Sequence, residues 1–226
     1  IGGAPDRAIT MNIGIPKEIK DREGRVALTP QAVQQLVAAG HAVHVQAHAG
    51  EGAGFQDAEY LRIGAVITTA AGAWDNQLVI KVKEPLESEY GFLKDQLLFT
   101  FLHLAGAPRT LTETLLARNT SALAYETLED AHGGLPLLAP MSAVAGNMAA
   151  LVGGYYQAQA HGGKGVQLGK VQDQRYGKVL IIGDGVVAYH AASSVHGLGA
   201  QVVLAGLDPH KGALWAAEFG AGFTFV

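Results

Sequence analysis

Between Asn12 and Ala124 the sequence repeats one device, a short apolar run without clean polar alternation followed by a stretch with helical spacing. Leu78-Val79-Ile80-Lys81-Val82 and Leu97-Leu98-Phe99-Thr100-Phe101-Leu102 are the clearest runs. Rich in β-branched and aromatic residues, they fit strands buried on both faces, which arise where helices cover both sides of a parallel sheet. The neighbouring segments fall into line. Asn12 to Ile15 reads as a strand stopped by Pro16, and Thr29-Pro30 as a helix cap with proline at the first helical position. That helix runs to about Ala39, Gly40 ends it, and His41 to Gln46 is the next strand. A helix near Asp57 to Ile63, a strand at Val66, a helix near Ala70, a helix from Arg109 to Arg118 and a strand at Ala122 to Ala124 continue the alternation. The pattern predicts an α/β fold with a mostly parallel sheet flanked by helices. Ile1 to Thr10 carry no periodic pattern and are expected to be extension rather than fold.

The pattern changes after Gly133. Leu135 to Pro140 reads as an extended apolar connector, and Ser142 as the cap of a long small-residue helix ending near Ala160. A boundary here gives two domains, 11–137 and 138–226. In the second, a glycine-rich loop at Gly162 to Gly169 precedes a strand at Lys178 to Ile182. Gly183-Asp184-Gly185-Val186-Val187-Ala188 follows directly and opens a helix with apolar spacing through Leu198. This is the G-x-G-x-x-A form of the dinucleotide fingerprint. Gly183 makes the tight turn, Gly185 lets a pyrophosphate approach the backbone, and Ala188 lets the helix pack closely. The helix N-terminus supplies backbone donors and a favourable dipole for phosphates. An acidic residue at the tip of the next strand usually takes the ribose hydroxyls. That strand, Gln201 to Ala205, is followed by Gly206; the nearest carboxylate is Asp208, and Lys211 is the local cation. The second domain is therefore expected to be an incomplete Rossmann unit, of which only part of a six-stranded sheet is present.

Composition narrows the function classes. A net charge of −4 with 16% charged residues leaves no basic face for nucleic acid and no polybasic run for a membrane surface. No apolar stretch reaches the roughly 20 residues that cross a bilayer. The absence of cysteine excludes disulfide and thiol chemistry and fits a cytoplasmic setting.

Lys83 and His103 each follow one of the two clearest runs. Ligands of parallel sheets collect at the carboxyl ends of strands. If the two strands are neighbours, a lysine and a histidine face one crevice, a pair suited to gripping and protonating a small carbonyl compound. Arg25 would complete it as a clamp, because a guanidinium meets a carboxylate with a two-pronged fork. His41, His44 and His48 form a poor metal set, since positions three apart on a strand point to opposite faces. No metal is expected, and no Ser-His-Asp arrangement surrounds Ser142.

These residues carry a resemblance. Met11-Asn-Ile-Gly-Ile-Pro-Lys-Glu-Ile-Lys20, Glu23-Gly-Arg25-Val-Ala-Leu-Thr-Pro30, Lys81-Val-Lys-Glu-Pro85, Phe99-Thr-Phe-Leu-His-Leu-Ala105 and Pro136-Leu-Leu-Ala-Pro-Met-Ser142 closely resemble the alanine dehydrogenase family. The wider group includes the nucleotide-binding subunit of proton-translocating nicotinamide nucleotide transhydrogenase. The resemblance implies NAD-dependent, reversible oxidative deamination of L-alanine to pyruvate and ammonia. It implies that Arg25 holds the substrate carboxylate, that Lys83 binds carboxylate or carbonyl oxygen, that His103 is the general acid/base and that Ser142 touches the cofactor. It further implies a homo-oligomer, a hexamer in the family, and that a later catalytic aspartate and further strands lie beyond Val226. Gly206 stands where the family carries an acid. Two alternatives follow, a catalytically dead binding fragment of the same fold and the transhydrogenase subunit.

Overall fold

The computed structural model describes residues 10–226, so the expectation for the first nine residues lies outside the described residues. The chain forms two compact units that divide between Leu128 and Glu129.

The first unit runs β1 (Asn12–Ile15), α1 (Pro30–Ala38), β2 (Ala42–Gln46), α2 (Asp57–Arg62), β3 (Val66–Thr68), α3 (Ala70–Trp74), β4 (Leu78–Ile80), β5 (Leu97–Thr100), α4 (Arg109–Ala117) and β6 (Ser121–Ala124). Its six strands lie in the order β3-β2-β1-β4-β5-β6, every neighbouring pair parallel. The order reverses between β1 and β4, which opens a crevice at their carboxyl ends. Local signals place the elements. Thr29 caps α1 by accepting from Ala32 N at 3.3 Å, and Thr69 caps α3 through Gly72 N at 3.2 Å. Both faces of the sheet are covered, as the unbroken apolar runs require. Ile13, Ile15 and Ile80 join Val43, Val45 and Tyr60 on one face. Val79, in register with Leu98, joins Trp74, Leu93 and Leu111 on the other. Gly14 permits the closest contact, since a Cβ there would stand 1.7 Å from the Ala73 carbonyl oxygen of α3.

The two expected strand runs are shorter than their apolar stretches, β4 stopping at Ile80 and β5 at Thr100. Their pairing nevertheless continues, with Lys81 N donating to Phe99 O at 3.0 Å and Phe101 N to Val82 O at 3.2 Å. The chain beyond each strand is thus still held against its neighbour.

The second unit contains α5 (Ala139–Gln157), β7 (Lys170–Val171), β8 (Gln174–Arg175), β9 (Lys178–Ile182), α6 (Val186–Leu198), β10 (Gln201–Ala205), α7 (Pro209–Phe219) and β11 (Phe223–Phe225). Its parallel sheet has the order β11-β10-β9, and β7 and β8 make an antiparallel hairpin. Strands of two residues each are too short to carry a period, so the hairpin left no trace in the sequence pattern. Arg175 closes it onto the unit, donating to Ala200 O at 3.2 Å and Ala221 O at 3.1 Å. Ser142 does not cap α5. The helix starts earlier, with Leu138 as its N-cap residue and Pro140 in its first turn, and Ser142 N donates to Leu138 O at 3.1 Å. Proline in the first turn costs no hydrogen bond and presets φ, so the start moves to it.

Helices α5 and α6 touch through Gly146, where a Cβ would fall 2.4 Å from Val187 O and 2.7 Å from His190 Cβ. A methyl group against a backbone carbonyl forces the helices apart. Gly146→Ala is expected to destabilise the second unit by about 1–3 kcal/mol, seen as a lower circular-dichroism melting temperature; an unchanged melt would show slack between the helices.

Candidate active site

The loop after β1 reaches the end of β4 through one carboxylate. Glu18 Oε1 accepts from Val82 N at 2.6 Å and from Lys83 N at 3.3 Å, while its Oε2 lies 3.4 Å from the Lys81 ammonium. Lys81 also donates to Glu89 Oε1 at 2.8 Å and sits 5.5 Å from the centre of the Trp74 ring. Lys81, Glu18 and Glu89 are all buried. Burial pushes the Glu18 carboxyl above its usual range, and the Lys81 charge pulls it back. Lys20 and Glu84 make a further ion pair between the same two loops.

Lys83 is therefore held by its backbone on both sides, its N–H on Glu18 and its carbonyl accepting from Thr100 Oγ1 at 2.8 Å. Thr100 ends β5, and His103 lies three residues further along that chain. His103 adopts a left-handed backbone at φ 46°. Glu126, just past β6, pins it there, accepting from His103 N at 2.7 Å and Leu102 N at 3.2 Å. The imidazole stacks on Phe101 with 5.9 Å between ring centres, and Tyr125 meets Phe101 and Phe99 edge-on. The Tyr125 hydroxyl is raised by burial and, to a smaller extent, by the Glu18 charge. The His103 side chain is exposed beside a hollow of about 690 Å³ lined by Leu102, Leu104, Ala124, Glu126 and Thr127.

Arg25 lines a different hollow, of about 170 Å³, together with Lys17, Glu18, Glu23 and Glu51. Its fork is engaged by Glu23, Nε on Oε1 at 2.8 Å and NH2 on Oε2 at 2.6 Å. These bonds hold the Glu23 carboxyl down at about 2, with a smaller pull from Lys83. Lys83 and His103 thus share one sheet edge, and Arg25 joins Lys83 through Glu23, while His103 faces the other hollow. Glu23 occupies the Nε–NH2 side of the Arg25 fork, so a carboxylate ligand meets that side by sharing or displacing Glu23.

In the second unit Gly183 takes φ +115°, open to glycine alone at low cost, and its N–H donates to Ala205 O at 2.8 Å. A Cβ on Gly185 would meet nothing within 4 Å, and no side chain caps α6. Ala188 is buried where α6 packs. An open backbone cradle in front of an uncapped helix start fits a dinucleotide pyrophosphate. Ser142, Gly183, Gly185 and Ala188 border a single hollow of about 700 Å³. Asp208 has a local task as the N-cap of α7, accepting from His210 N at 2.9 Å and Lys211 N at 3.4 Å, and the Lys211 ammonium reaches Asp184 O at 3.4 Å.

Two family models together span nearly the whole described chain. "Alanine dehydrogenase/PNT, N-terminal domain" matches residues 14–145, and "Alanine dehydrogenase/PNT, C-terminal domain" matches residues 149–224. The chain belongs to the alanine dehydrogenase/PNT family. Within that family it is 47% identical to alanine dehydrogenase of Geobacillus stearothermophilus over 204 residues, 89% of this chain and 55% of that protein. It is 47% identical to alanine dehydrogenase of Mycobacterium tuberculosis over 212 residues, 92% of this chain and 57% of that protein. A solved L-alanine dehydrogenase superposes with a TM-score of 0.87 at 46% identity, over 95% of this chain and 60% of that one. The transhydrogenase of Sinorhizobium meliloti shares the fold at a TM-score of 0.78 and 24% identity. The chain spans somewhat more than half the length of the curated relatives it matches.

Several residues of this site were not singled out from the sequence. Lys81 carried a signal, because a lysine inside an apolar run demands a buried counter-ion. Glu18 and Glu126 carried none, since each acts on backbone groups distant in the chain, whereas Glu89 accepts from the nearby Leu86 N as well as from Lys81. The three histidines of the second strand region have separate surroundings, His41 accepting from Met11 N and His48 paired with Glu51. Among the described residues no group of three or more metal-ligating side chains is placed to hold an ion.

Lys81→Met leaves two buried carboxylates facing each other and is expected to cost about 3–5 kcal/mol in urea unfolding. A loss below about 1 kcal/mol would show that the cluster is solvated. The Glu23 carboxyl, lowered from its usual 4.5 to about 2, contributes stability above pH 4.5 that vanishes as pH falls through 2. Glu23→Gln is therefore expected to flatten the fall of melting temperature across that window, and identical acid limbs would contradict the pairing.

Proposed function

We propose that this chain supplies the substrate unit and the cofactor-binding loop of an NAD-dependent enzyme interconverting L-alanine with pyruvate and ammonia, unit one binding substrate and unit two the dinucleotide. The observation that carries this reading is the shared edge at which Lys83 and His103 leave two paired strands, each locked through its backbone. The names of the relatives support the same chemistry. NAD, when bound, would supply the hydride acceptor. The Gly183–Ala188 turn and Ser142 would hold it, with Asp208 and Lys211 beside the loop through their contacts to Asp184.

The chain's own residues then have defined tasks. Arg25, shared between Glu23 and the substrate, orients the carboxylate, and the Lys83 ammonium holds the oxygen that becomes the pyruvate carbonyl. Loss of hydride from Cα of the amine form leaves an iminium, to which water adds while His103 takes a proton from that water, giving a carbinolamine. His103 returns the proton to the carbinolamine nitrogen, and as ammonia leaves the hydroxyl proton passes back to His103 and the carbonyl forms. Its left-handed, doubly fixed backbone keeps the imidazole in one place for these transfers.

Helix α5 leaves Val144, Met148, Leu151 and Tyr155 exposed in one stripe, the kind of surface that a homo-oligomer covers. Among the described residues no helix is long and apolar enough to cross a membrane, and a cytoplasmic setting is part of the same proposal.

Purified chain is expected to oxidise NADH only when pyruvate and ammonium are both present. His103→Ala should lower that rate by at least about 100-fold. Absence of turnover in the parent would overturn the activity, and full activity in the variant would remove His103 from the reaction.

A further inference from the structure

We propose that Asp184, inside the glycine loop, is the ribose-binding acid of this chain, standing in for the side chain that Gly206 lacks; the proposal rests on the loop taking NAD. A dinucleotide site needs a carboxylate at the tip of the strand after the fingerprint helix, where it accepts from the ribose hydroxyls. The tip of β10 has none of its own, because the residue following Ala205 is Gly206.

Asp184 brings one there from the neighbouring strand. Its Oδ2 accepts from Leu207 N at 2.8 Å and Asp208 N at 2.7 Å, the two amides that follow Gly206. The carboxylate is therefore fixed over the β10 tip although its backbone belongs to the loop after β9. A Cβ built on Gly206 would lie 2.8 Å from Asp184 Cβ and 2.7 Å from Phe225 Cε2. The two side chains would start in the same space, so an acid at 206 and an aspartate at 184 exclude one another. The Phe225 ring crowds the same position, so an acid at 206 would have to displace that ring as well. The loop is thus the route by which a carboxylate reaches this place.

The arrangement also sets selectivity. The two amides hold Asp184 ionised, Asp208 N contributing most and Leu207 N next. An ionised carboxylate has acceptor capacity beyond those two bonds, and a ribose diol matches it with O–H donors. A 2′-phosphate in the same place would meet like charge. Lys211, whose ammonium touches the Asp184 carbonyl, is the cation that such a phosphate would find if the aspartate were neutral.

Calorimetric titration of the 226-residue chain with ADP-ribose and with its 2′-phosphate tests this without turnover. The parent is expected to prefer ADP-ribose. Asp184→Asn, which keeps the shape and one acceptor for the amides, should weaken ADP-ribose about tenfold, as loss of a bond to a charged group does. It should also bring the two ligands to near parity. Damage to the loop alone would weaken both ligands by one factor, so the ratio is the decisive readout, with a circular-dichroism melt to verify folding. Equal ratios in parent and variant overturn the Asp184 assignment and leave the NAD reading standing. A parent that binds neither ADP-ribose nor NAD overturns both.

Discussion

Lys81 is the point on which the first unit's site depends. Parallel strands that separate at a switch point leave backbone amides beyond their ends without a partner in the sheet. Glu18 answers those of Val82 and Lys83, and in doing so buries a carboxylate that needs a cation. The Lys81 ammonium meets that need, sharing itself between Glu18 and Glu89 over the face of Trp74. Removing three charges from water costs several kcal/mol each, which their mutual attraction roughly offsets. The cluster's main return is therefore position: it ties the loop after β1 to the exit of β4 and fixes the backbone of Lys83 there.

The same device recurs at two other strand ends. Glu126 takes the amides of Leu102 and His103 beyond β5, and Asp184 takes those of Leu207 and Asp208 beyond β10. In each case an acid accepts from two successive N–H groups just after a parallel strand. Each time the residue so fixed, or the acid itself, is a candidate for chemistry. Backbone donors in these places are strong and inflexible, which suits groups that must hold one geometry. His103 shows the benefit, since a non-glycine residue in left-handed conformation persists only where its surroundings over-determine it.

Much of this was legible in the residues. Apolar runs without alternation led to buried parallel strands, and Thr29-Pro30, Gly40 and the Gly183–Ala188 turn marked ends where the elements do end. Lys83 and His103 could be picked out because each follows such a run. Other features were illegible for definite reasons. The hairpin of β7 and β8 is too short to show a period, and Pro140 moved the start of α5 ahead of Ser142. Lys81, a lysine inside an apolar run, signals a buried counter-ion but not that Glu18 and Glu89 supply it. Arg25 reads as an available clamp until the fold shows Glu23 already in its fork.

Periodicity and turn chemistry act over a few neighbours, so the α/β alternation, the fingerprint turn and the ionisable residues at strand ends are all set locally. The tertiary structure alone decided which of those residues meet. Glu18 lies 64 positions from Val82, Glu126 lies 23 from His103, and Asp184 lies 24 from Asp208. Strand order, which no local preference encodes, brings such partners together. Only then does a glycine at 206 read as space already occupied by the aspartate of another loop.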